Sequence, residues 1–489
     1  AVLDLTLAPK IRPQDVGYTV TAELFDVTSD RVAPGRVLTA GRLQLGADRT
    51  GLEIWGPAVL SGVPMELRWR QGFAPEEKGK SRAEGTMELS PRTLDAFGVA
   101  LPDGAVGGTG TGAFTLDLAA GEPGRFRLTS DLGGLTIRIP EIGWTKPAGT
   151  KGEFALDGAL GRPPRIDAVR LAAAGLVAEG GIALNADGGL DAVRLDRARV
   201  GDWFEGQVEL KGQGRDRPLA ISVSSGRLDL RGATFGQGEG GAGGGPLTVA
   251  LDRLQVTEGI ALRGFRGSFG TRGGLTGDFS GRVNGETPVQ GAAVPMAGRT
   301  AVRIQGDDAG AAFRAAGLFT RGVGGRFDLT LRPRGPGREY DGTLSIRQFR
   351  VTGVPALAEL LDAISVVGLL TQLNGPGLLF SDVSGDFRLT PDALEIRDGS
   401  AVGPSLGISG AGTYRAEGAV LDLQGTISPI YMLNGIGQIF SKRREGLFGF
   451  NYRMTGAAND PRVSVNPLSI LTPGMFRDIF RSEPPKLDQ

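Results

Sequence analysis

Apolar and polar residues alternate along many short segments of this chain. In the clearest segment, 63–70, Val63, Met65, Leu67 and Trp69 alternate with residues that are mostly charged. A β-strand with one buried face and one wet face has this period of two. The same period recurs at 1–7, 114–118, 207–211, 219–223, 227–230, 327–331 and 343–347. The pattern predicts a protein built mainly of strands.

Turn residues separate these segments. The chain has 81 glycines and 29 prolines, spread along its whole length. Turn signals such as 186–189 and 272–274 join successive segments closely, which favours antiparallel meanders over strand–helix–strand crossovers. The glycine-rich stretch 236–245 and the polar stretch 74–82 are predicted to be loops or linkers. The sequence therefore predicts an all-β fold with antiparallel strands.

A short helix is predicted after residue 90. Ser90 has the chemistry of an N-cap, Pro91 suits the first turn, and Gly98 suits the end of the helix. Leu94 and Phe97 are its predicted buried positions. We expect this helix to be a short plug or cap.

A longer amphipathic helix is predicted over 355–373, where the chain changes character. Its apolar residues recur at helical spacing, with Glu359 and Asp362 on the other side. The second half is apolar nearly all round but has only about half of the ~20 residues that span a bilayer. Its leucines cover more than one side, which favours a plug or a membrane-facing lid over an ordinary core helix. Two regions are predicted: a repeated β-sheet at 1–349, and helices with closing strands at 350–489.

Composition excludes several classes of function. Lys plus Arg and Asp plus Glu both number 54, so the positive field of a nucleic-acid-binding protein is missing. Cysteine and histidine are both absent, which removes Cys/His metal sites, thiolate nucleophiles and the commonest general base. We therefore expect no cofactor, no metal and no nucleic-acid partner.

Three motifs of catalytic type match only formally. Segment 236–241 matches a dinucleotide fingerprint, but more glycine and a strand follow it instead of a helix. Segment 403–407 matches a nucleophile elbow, but no histidine base exists, so Ser405 is predicted to be a turn residue. Asp307 and Asp308 are predicted to cap a turn between strands. The sequence predicts that the protein is not an enzyme. An enzyme that acts on glycans or lipids of the cell envelope is kept only as an alternative.

Sequence signals for membrane contact are confined to short segments. The chain has no run of 18 apolar residues, and its first residues lack the basic start and apolar core of a signal peptide. Because residue 1 opens directly into strand sequence, we expect an anchor and a targeting segment upstream, with a natural mature terminus as the alternative. The basic run 442–444 follows Ile436 and Phe440, which indicates either a membrane interface or a solvated turn.

Ordered segments in the last third of the chain carry a family resemblance. They are 342–351 (GTLSIRQFRV), 355–373 (PALAELLDAISVVGLLTQL), 394–412 (LEIRDGSAVGPSLGISGAG), 421–429 (LDLQGTISP), 446–453 (GLFGFNYR) and 460–480 (DPRVSVNPLSILTPGMFRDIF). This region resembles the C-terminal region of the AsmA-like family, in the superfamily that includes YhdP and TamB. Segments 51–70 and 219–230 resemble the strand repeats of the same family.

The resemblance implies a periplasmic protein anchored to the inner membrane. It also implies an elongated, curled antiparallel sheet of the β-groove or β-taco type, and phospholipid transport between the inner and outer membranes. Independently, an apolar sheet face without covering helices must pair with another sheet, curl on itself or fill with lipid. The working hypothesis is an open groove in which acyl chains slide along apolar side chains. A closed, dry sandwich is the alternative.

A second hypothesis is a scaffold for outer-membrane protein assembly that offers sheet edges to client strands. The expected partners are phospholipid or another acyl lipid, the inner or outer membrane, and envelope proteins. Alternation alone selects the groove-lining candidates, which are Val63, Met65, Leu67, Trp69, Leu116, Leu210, Ile221, Val223, Leu329 and Ile346. Apolar C-terminal segments supply the membrane or lid candidates, which are Leu357, Leu360, Leu361, Ile364, Leu369, Leu370, Ile436, Phe440, Met475, Phe476 and Phe480.

Overall fold

Strands dominate the computed structural model of the chain. It describes residues 2–5, 16–33, 35–99, 101–102, 104–161, 163–185, 189–214, 217–233, 244–335, 338–364, 366–429, 449–458 and 460–466. About 65% of the structure is strand and 10% is helix, which confirms the all-β prediction. The chain divides into two units, Ala1–Gly245 and Pro246–Gln489, which we call unit 1 and unit 2.

Unit 1 is a meander of antiparallel strands. They are β1 (Val2–Leu5), β2 (Val16–Ala33), β3 (Arg36–Ala47), β4 (Gly51–Leu60), β5 (Val63–Gly72), β6 (Lys80–Leu89), β7 (Val106–Gly108), β8 (Gly110–Ala119), β9 (Arg125–Ser130), β10 (Leu135–Ile139), β11 (Trp144–Lys146), β12 (Glu153–Ala159), β13 (Arg165–Ala173), β14 (Leu176–Leu184), β15 (Leu190–Val200), β16 (Phe204–Lys211) and β17 (Ala220–Asp229). Apart from β7, β10 and β11, each strand pairs with the next.

The three remaining strands form a small sheet in the order β11–β10–β7. This sheet, the helix α1 (Pro91–Phe97) and the 3-10 helix Pro140–Ile142 lie in the connections after β6 and after β9. Since strand direction alternates in the meander, both connections leave the main sheet at the same end. Leu135 and Trp144 of the small sheet pack there against Ala173, Leu176 and Val200 of the main sheet. We call these elements the cap of unit 1.

Local predictions for unit 1 are mostly confirmed. Helix α1 begins at Pro91 and ends before Gly98, which has a left-handed φ of 70°. Phe97 is 42% exposed, so its predicted burial is wrong, and the buried residue of α1 is Thr93. The stretch 74–82 is a loop only in part, because β6 begins at Lys80 after the 3-10 helix Pro75–Glu77. The segments predicted at 219–223 and 227–230 lie, apart from their outer ends Leu219 and Leu230, in the single strand β17.

Unit 2 is a second antiparallel meander with helices at one end. Its strands are β18 (Pro246–Gln255), β19 (Ala261–Gly270), β20 (Thr276–Val283), β21 (Thr287–Met296), β22 (Arg299–Gly306), β23 (Gly322–Val323), β24 (Arg326–Arg334), β25 (Glu339–Val351), β26 (Leu378–Leu389), β27 (Ala393–Val402), β28 (Gly407–Arg415), β29 (Val420–Ser428), β30 (Phe450–Ala457) and β31 (Asp460–Asn466). Its helices are α2 (Ala309–Ala315), α3 (Pro355–Ala363), α4 (Val367–Asn374) and the 3-10 helix Glu417–Ala419. Each strand pairs with the next except β23, which pairs with the end of β25.

Three predictions for unit 2 are corrected. The sheet is continuous across residue 350, because β25 pairs with β26 up to Val351, so the unit boundary falls at Gly245 instead. The helix predicted over 355–373 is two helices, α3 and α4, separated after Ile364. Asp308 caps the unpredicted helix α2, where its carboxylate accepts a hydrogen bond from the Ala311 amide. Ser405 lies in the turn between β27 and β28, as predicted.

Helix α3 shows that the sheet of unit 2 curls. It follows β25 in sequence, yet it contacts β31, which is separated from β25 by five intervening strands of the sheet. Helix α4 contacts β26. In the described part of the chain, no helix has the length and apolar character needed to cross a membrane. The predictions at 236–243, 186–188 and 442–444, and those for Ile436, Phe440, Met475, Phe476 and Phe480, lie outside the described residues.

Candidate functional site

The two faces of strand β5 differ along its whole length. Met65, Leu67 and Trp69 are half-buried, whereas the residues between them are exposed. Residues that are direct partners in an antiparallel pair project from the same face of the sheet. The register of the strands therefore gives the composition of each face across unit 1.

Direct partners connect the apolar residues of β5 into two rows that cross ten strands. Row 1 consists of Leu67, Gly85, Phe114, Leu128, Leu156, Val169, Gly180, Leu195, Val208 and Val223. Row 2 consists of Trp69, Ala83, Leu116, Phe126, Gly158, Ile166, Ile182, Val193, Leu210 and Ile221. Neither row contains a charged side chain, and the one side chain in them that can form a hydrogen bond is Trp69, through its indole N–H. With neighbouring strands about 4.8 Å apart, each row is roughly 45 Å long.

The rows are incompletely covered by protein. Every side chain larger than alanine in rows 1 and 2 is half-buried, and none is fully buried. Nearer the cap, the same face is closed: Ala173, Leu176 and Val200 are only 5–8% exposed. We call the part of this face formed by rows 1 and 2 the open apolar face.

The opposite face of unit 1 is charged and ion-paired. Direct cross-strand partners form the following ion pairs: Arg70–Glu53 (3.7 Å), Arg82–Asp117 (3.4 Å), Arg127–Asp157 (2.5 Å), Arg170–Glu179 (3.2 Å), Arg194–Glu209 (2.9 Å) and Arg227–Glu205 (2.9 Å). Such exposed pairs add little to stability, about 0–1 kcal/mol each. Their main consequence is that this face stays in water, so the apolar face alone is suited to an apolar ligand.

Unit 2 has the same kind of apolar face. Row 3 consists of Val249, Gly267, Phe279, Gly291, Ile304, Leu329, Leu344, Gly385, Gly399, Gly410, Gly425, Tyr452 and Val465. The single polar group in this row, the Tyr452 hydroxyl, donates a hydrogen bond to the Ser409 carbonyl (3.0 Å). Leu329 and Leu344 are half-buried, as the large residues of unit 1 are.

A cap also closes one end of the apolar face of unit 2. The connections that contain α2 and α3–α4 follow β22 and β25, and so leave the sheet at the same end. Phe313 of α2 lies against Phe327 and Phe349, with ring centroids 6.3 Å apart in each pair. Leu360 and Leu361 of α3 are 2% and 0% exposed. These helices fill the end of the curled sheet.

Most groove-lining candidates lie on the apolar faces of the two units. Leu67 and Val223 belong to row 1, Leu329 belongs to row 3, and Met65 is half-buried on the same face of β5. Row 2 contains four further candidates, Trp69, Leu116, Leu210 and Ile221. Val63 and Ile346 are 0% and 2% exposed, so these two candidates pack against protein instead of lining an open surface.

The lid candidates of α3 and α4 that the structure describes are mainly buried. Leu357, Leu360, Leu361, Ile364 and Leu369 are at most 9% exposed, and Leu370 is half-buried. The exposed apolar residue of these helices is Val367, at 72%. The buried lid candidates cannot meet a membrane without leaving their present contacts.

Sequence reasoning did not find the row members on β9 and β12–β15. Alternation in 125–130 is the signal that marks Phe126 and Leu128. Ile166 and Val169 are three residues apart, so alternation cannot mark both, and they share a face only because the register shifts between them. The glycines of the rows have no such signal, because only the cross-strand register places them between larger residues. Comparison of the chain with family models, with curated proteins and with solved structures finds no match.

Proposed function

We propose that the protein holds the acyl chains of phospholipid on its apolar faces and conducts them between the inner and outer membranes of the cell envelope. The observation that carries this proposal is the composition of rows 1 and 2. The twenty row positions contain no charged side chain and no polar group except the Trp69 indole N–H, and no large side chain among them is fully buried. A dry sandwich would bury these side chains, whereas a bound acyl chain would cover them.

The proposed mechanism involves no covalent step. Covering apolar surface contributes about 25 cal/mol per Å², and this attraction has no preferred direction. An acyl chain can therefore move along an uninterrupted apolar row without breaking hydrogen bonds. The cap closes one end of the strands, and the other end has mainly short turns, where a headgroup can stay in water. The resemblance of the C-terminal third to the AsmA-like family supports the periplasm as the compartment and the two membranes as the end points.

Paired substitutions on neighbouring residues test the proposal. In the row variant, Leu128→Asp and Val208→Asp place charges in row 1. In the control variant, Thr129→Asp and Gln207→Asp place the same charges one residue away, on the polar face, where both residues are exposed. The measurements are mass spectrometry of phospholipid copurified with the full chain, and transfer of a fluorescent phospholipid between vesicles. A carboxylate facing an acyl chain should reduce both by more than about tenfold, because its desolvation costs more than ~1.4 kcal/mol.

Circular dichroism and the unfolding temperature show whether the row variant is folded. If it is not, Val208→Thr, which is nearly isosteric, replaces it in the same assays. Retention of lipid by the control together with loss of lipid from the row variant supports the proposal. A wild-type chain without copurified phospholipid and without transfer would overturn it, and so would equal effects of the two variants.

A further inference from the structure

Three arginines face one another across strands β18, β19 and β20. Arg253 is the direct partner of Arg263, and Arg263 is the direct partner of Arg282. All three side chains are exposed. Like charges at directly opposed positions destabilise a sheet. We call these residues the arginine ladder.

Carboxylates do not neutralise the ladder within the described part of the chain. Arg253 donates to the Gln255 side-chain oxygen (2.8 Å), and Arg282 donates to the Gly285 carbonyl (3.1 Å) and to the Glu286 carbonyl. These acceptors are neutral, so the positive charges remain. Asp252, Glu258 and Glu286 flank the ladder in sequence, and no ion pair within 4 Å joins Glu258 or Glu286 to it in the described residues.

The rest of the polar surface makes the ladder unusual. In unit 1, Arg70 and Arg82 also face each other, but each has a carboxylate partner on its other side, Glu53 and Asp117. Elsewhere on that face an acid lies directly opposite the arginine, as in Arg194–Glu209 and Arg227–Glu205. In unit 2, Arg303 pairs with Asp328 two strands away from β20. A Glu or Asp at position 263 would lie directly opposite both Arg253 and Arg282 and would pair with them in the same way. Retaining three arginines there costs stability, and an external anion would offset that cost.

Apolar residues are exposed beside the ladder. Asn284 follows the ladder strand β20, and its amide donates hydrogen bonds to the Gly259 carbonyl (2.8 Å) and the Ala315 carbonyl (2.6 Å). These bonds hold the turn after β18 and the end of α2 together. Leu318, which follows α2, is 67% exposed, and Val256, which follows β18, is 38% exposed. Basic groups beside exposed apolar side chains are the combination that binds an anionic bilayer surface.

We infer that the arginine ladder and the adjoining Leu318 loop form a docking surface for a membrane that contains anionic phospholipid. Each guanidinium can bind phosphate oxygens with two parallel hydrogen bonds, and Leu318 can enter the interfacial layer. This surface is on the polar side of the sheet, away from row 3. The inference does not depend on lipid transport along the apolar face, because docking requires only contact with the bilayer surface.

Vesicle sedimentation with the full chain tests the inference. The vesicles contain equal amounts of phosphatidylglycerol and phosphatidylcholine, or phosphatidylcholine alone. The ladder variant carries Arg253→Gln, Arg263→Gln and Arg282→Gln. The control variant carries Arg170→Gln, Arg194→Gln and Arg227→Gln, which remove the same charge from the ion-paired surface of unit 1. We expect the wild-type chain to bind the anionic vesicles selectively and the ladder variant to bind them roughly a hundredfold more weakly. The control variant should bind as the wild type does.

A second readout separates docking from folding. Because the ladder residues repel one another, the ladder variant should unfold at a higher temperature than the wild type. Leu318→Ser should weaken vesicle binding several-fold without changing the unfolding temperature. Equal binding to both vesicle types, or equal losses in the ladder and control variants, would overturn the inference. Binding to polyglutamate without binding to anionic vesicles would also overturn it, in favour of an acidic protein partner.

Discussion

The ring of Phe126 on β9 lies directly against Gly158 on β12. The two residues are direct cross-strand partners in row 2, and a Cβ atom on Gly158 would lie 2.7 Å from Cζ of Phe126. The same Cβ would overlap the carbonyl oxygen of Arg165 on the next strand. The register also shifts between Asp157 and Gly158, so the strand is irregular at this point. Glycine here allows an aromatic ring to cover a bend in the apolar face.

Replacing Gly158 with alanine should therefore destabilise unit 1. The added methyl group must displace a ring and a backbone carbonyl, and overpacking of this kind costs about 1–3 kcal/mol. Gly149→Ala is the matched control, because nothing lies within 4 Å of a Cβ at Gly149. Urea unfolding measures both variants. A Gly158→Ala variant as stable as Gly149→Ala would contradict the close packing of Phe126 on Gly158.

The strands could be predicted from the sequence because alternation is a local property. Strand β5 includes the predicted segment 63–70, and its apolar residues Val63, Met65, Leu67 and Trp69 share one face, as predicted. The rows could not be predicted in full, because the register depends on irregularities such as the shift between Leu195 and Ala198. One such irregularity moves all later residues of a strand to the other face. The apolar faces therefore follow from local pattern, but their continuity follows from long-range pairing.

The break between α3 and α4 has a local cause, which the spacing of apolar residues does not indicate. Ile364, Val366 and Val367 are β-branched and lie close together, and such residues lower helix propensity. The predicted helix at 355–373 relied on the spacing of apolar residues, which continues through the break. The burial of α3 could not be predicted either, because it depends on β31, which follows about a hundred residues later and contacts α3 only because the sheet curls.

Helix α3 should behave as a core element of unit 2. Leu361 is 0% exposed, so Leu361→Ala should lower the free energy of unfolding by about 2–5 kcal/mol. Val367→Ala on α4 is the control, since Val367 is 72% exposed and such substitutions usually change stability by less than about 0.5 kcal/mol. Chemical denaturation of the full chain measures both. A neutral Leu361→Ala variant would show that α3 detaches readily, as a lid would.

Lys146 should be essential to the cap of unit 1. Its side chain is fully buried, and its ammonium group donates hydrogen bonds to the carbonyls of Leu132 (2.6 Å), Leu135 (2.8 Å) and Pro147 (3.1 Å). Burial lowers the pKa of Lys146, and the nearby Asp131 carboxylate acts in the opposite direction. Of the three carbonyls, Leu132 also accepts from the Leu135 amide (3.3 Å) and Pro147 from the Thr150 hydroxyl (2.9 Å). Lys146→Met keeps the apolar stem but removes the ammonium donor from all three, which should cost about 1–3 kcal/mol.

Lys151→Met is the matched control for Lys146. Lys151 is exposed and forms an ion pair with Asp131 (2.8 Å), so its loss should cost at most about 1 kcal/mol. Protease digestion of the folded chain gives a local readout, because a loosened cap should expose the residues around Trp144 first. Equal stability of the Lys146→Met and Lys151→Met variants would show that the three carbonyls need no ammonium donor.

The ion pair between Arg303 and Asp328 should make unit 2 sensitive to acid. The hydrogen bond from Arg303 lowers the pKa of the Asp328 carboxyl, burial opposes this effect, and a hydrogen bond from Gln305 (2.7 Å) lowers the pKa further. A carboxyl whose pKa is lower in the folded state stabilises the fold fully above its unfolded pKa of about 3.8. That stabilisation is lost as the pH falls below this value through the folded pKa. Asp328→Asn should therefore lose less stability than the wild type between about pH 6 and about pH 3, measured by urea unfolding at each pH. Asp278→Asn, which changes an exposed carboxylate on β20, is the control and should match the wild type. Identical acid sensitivity in all three chains would mean that the Arg303–Asp328 pair contributes nothing to the free energy of unfolding.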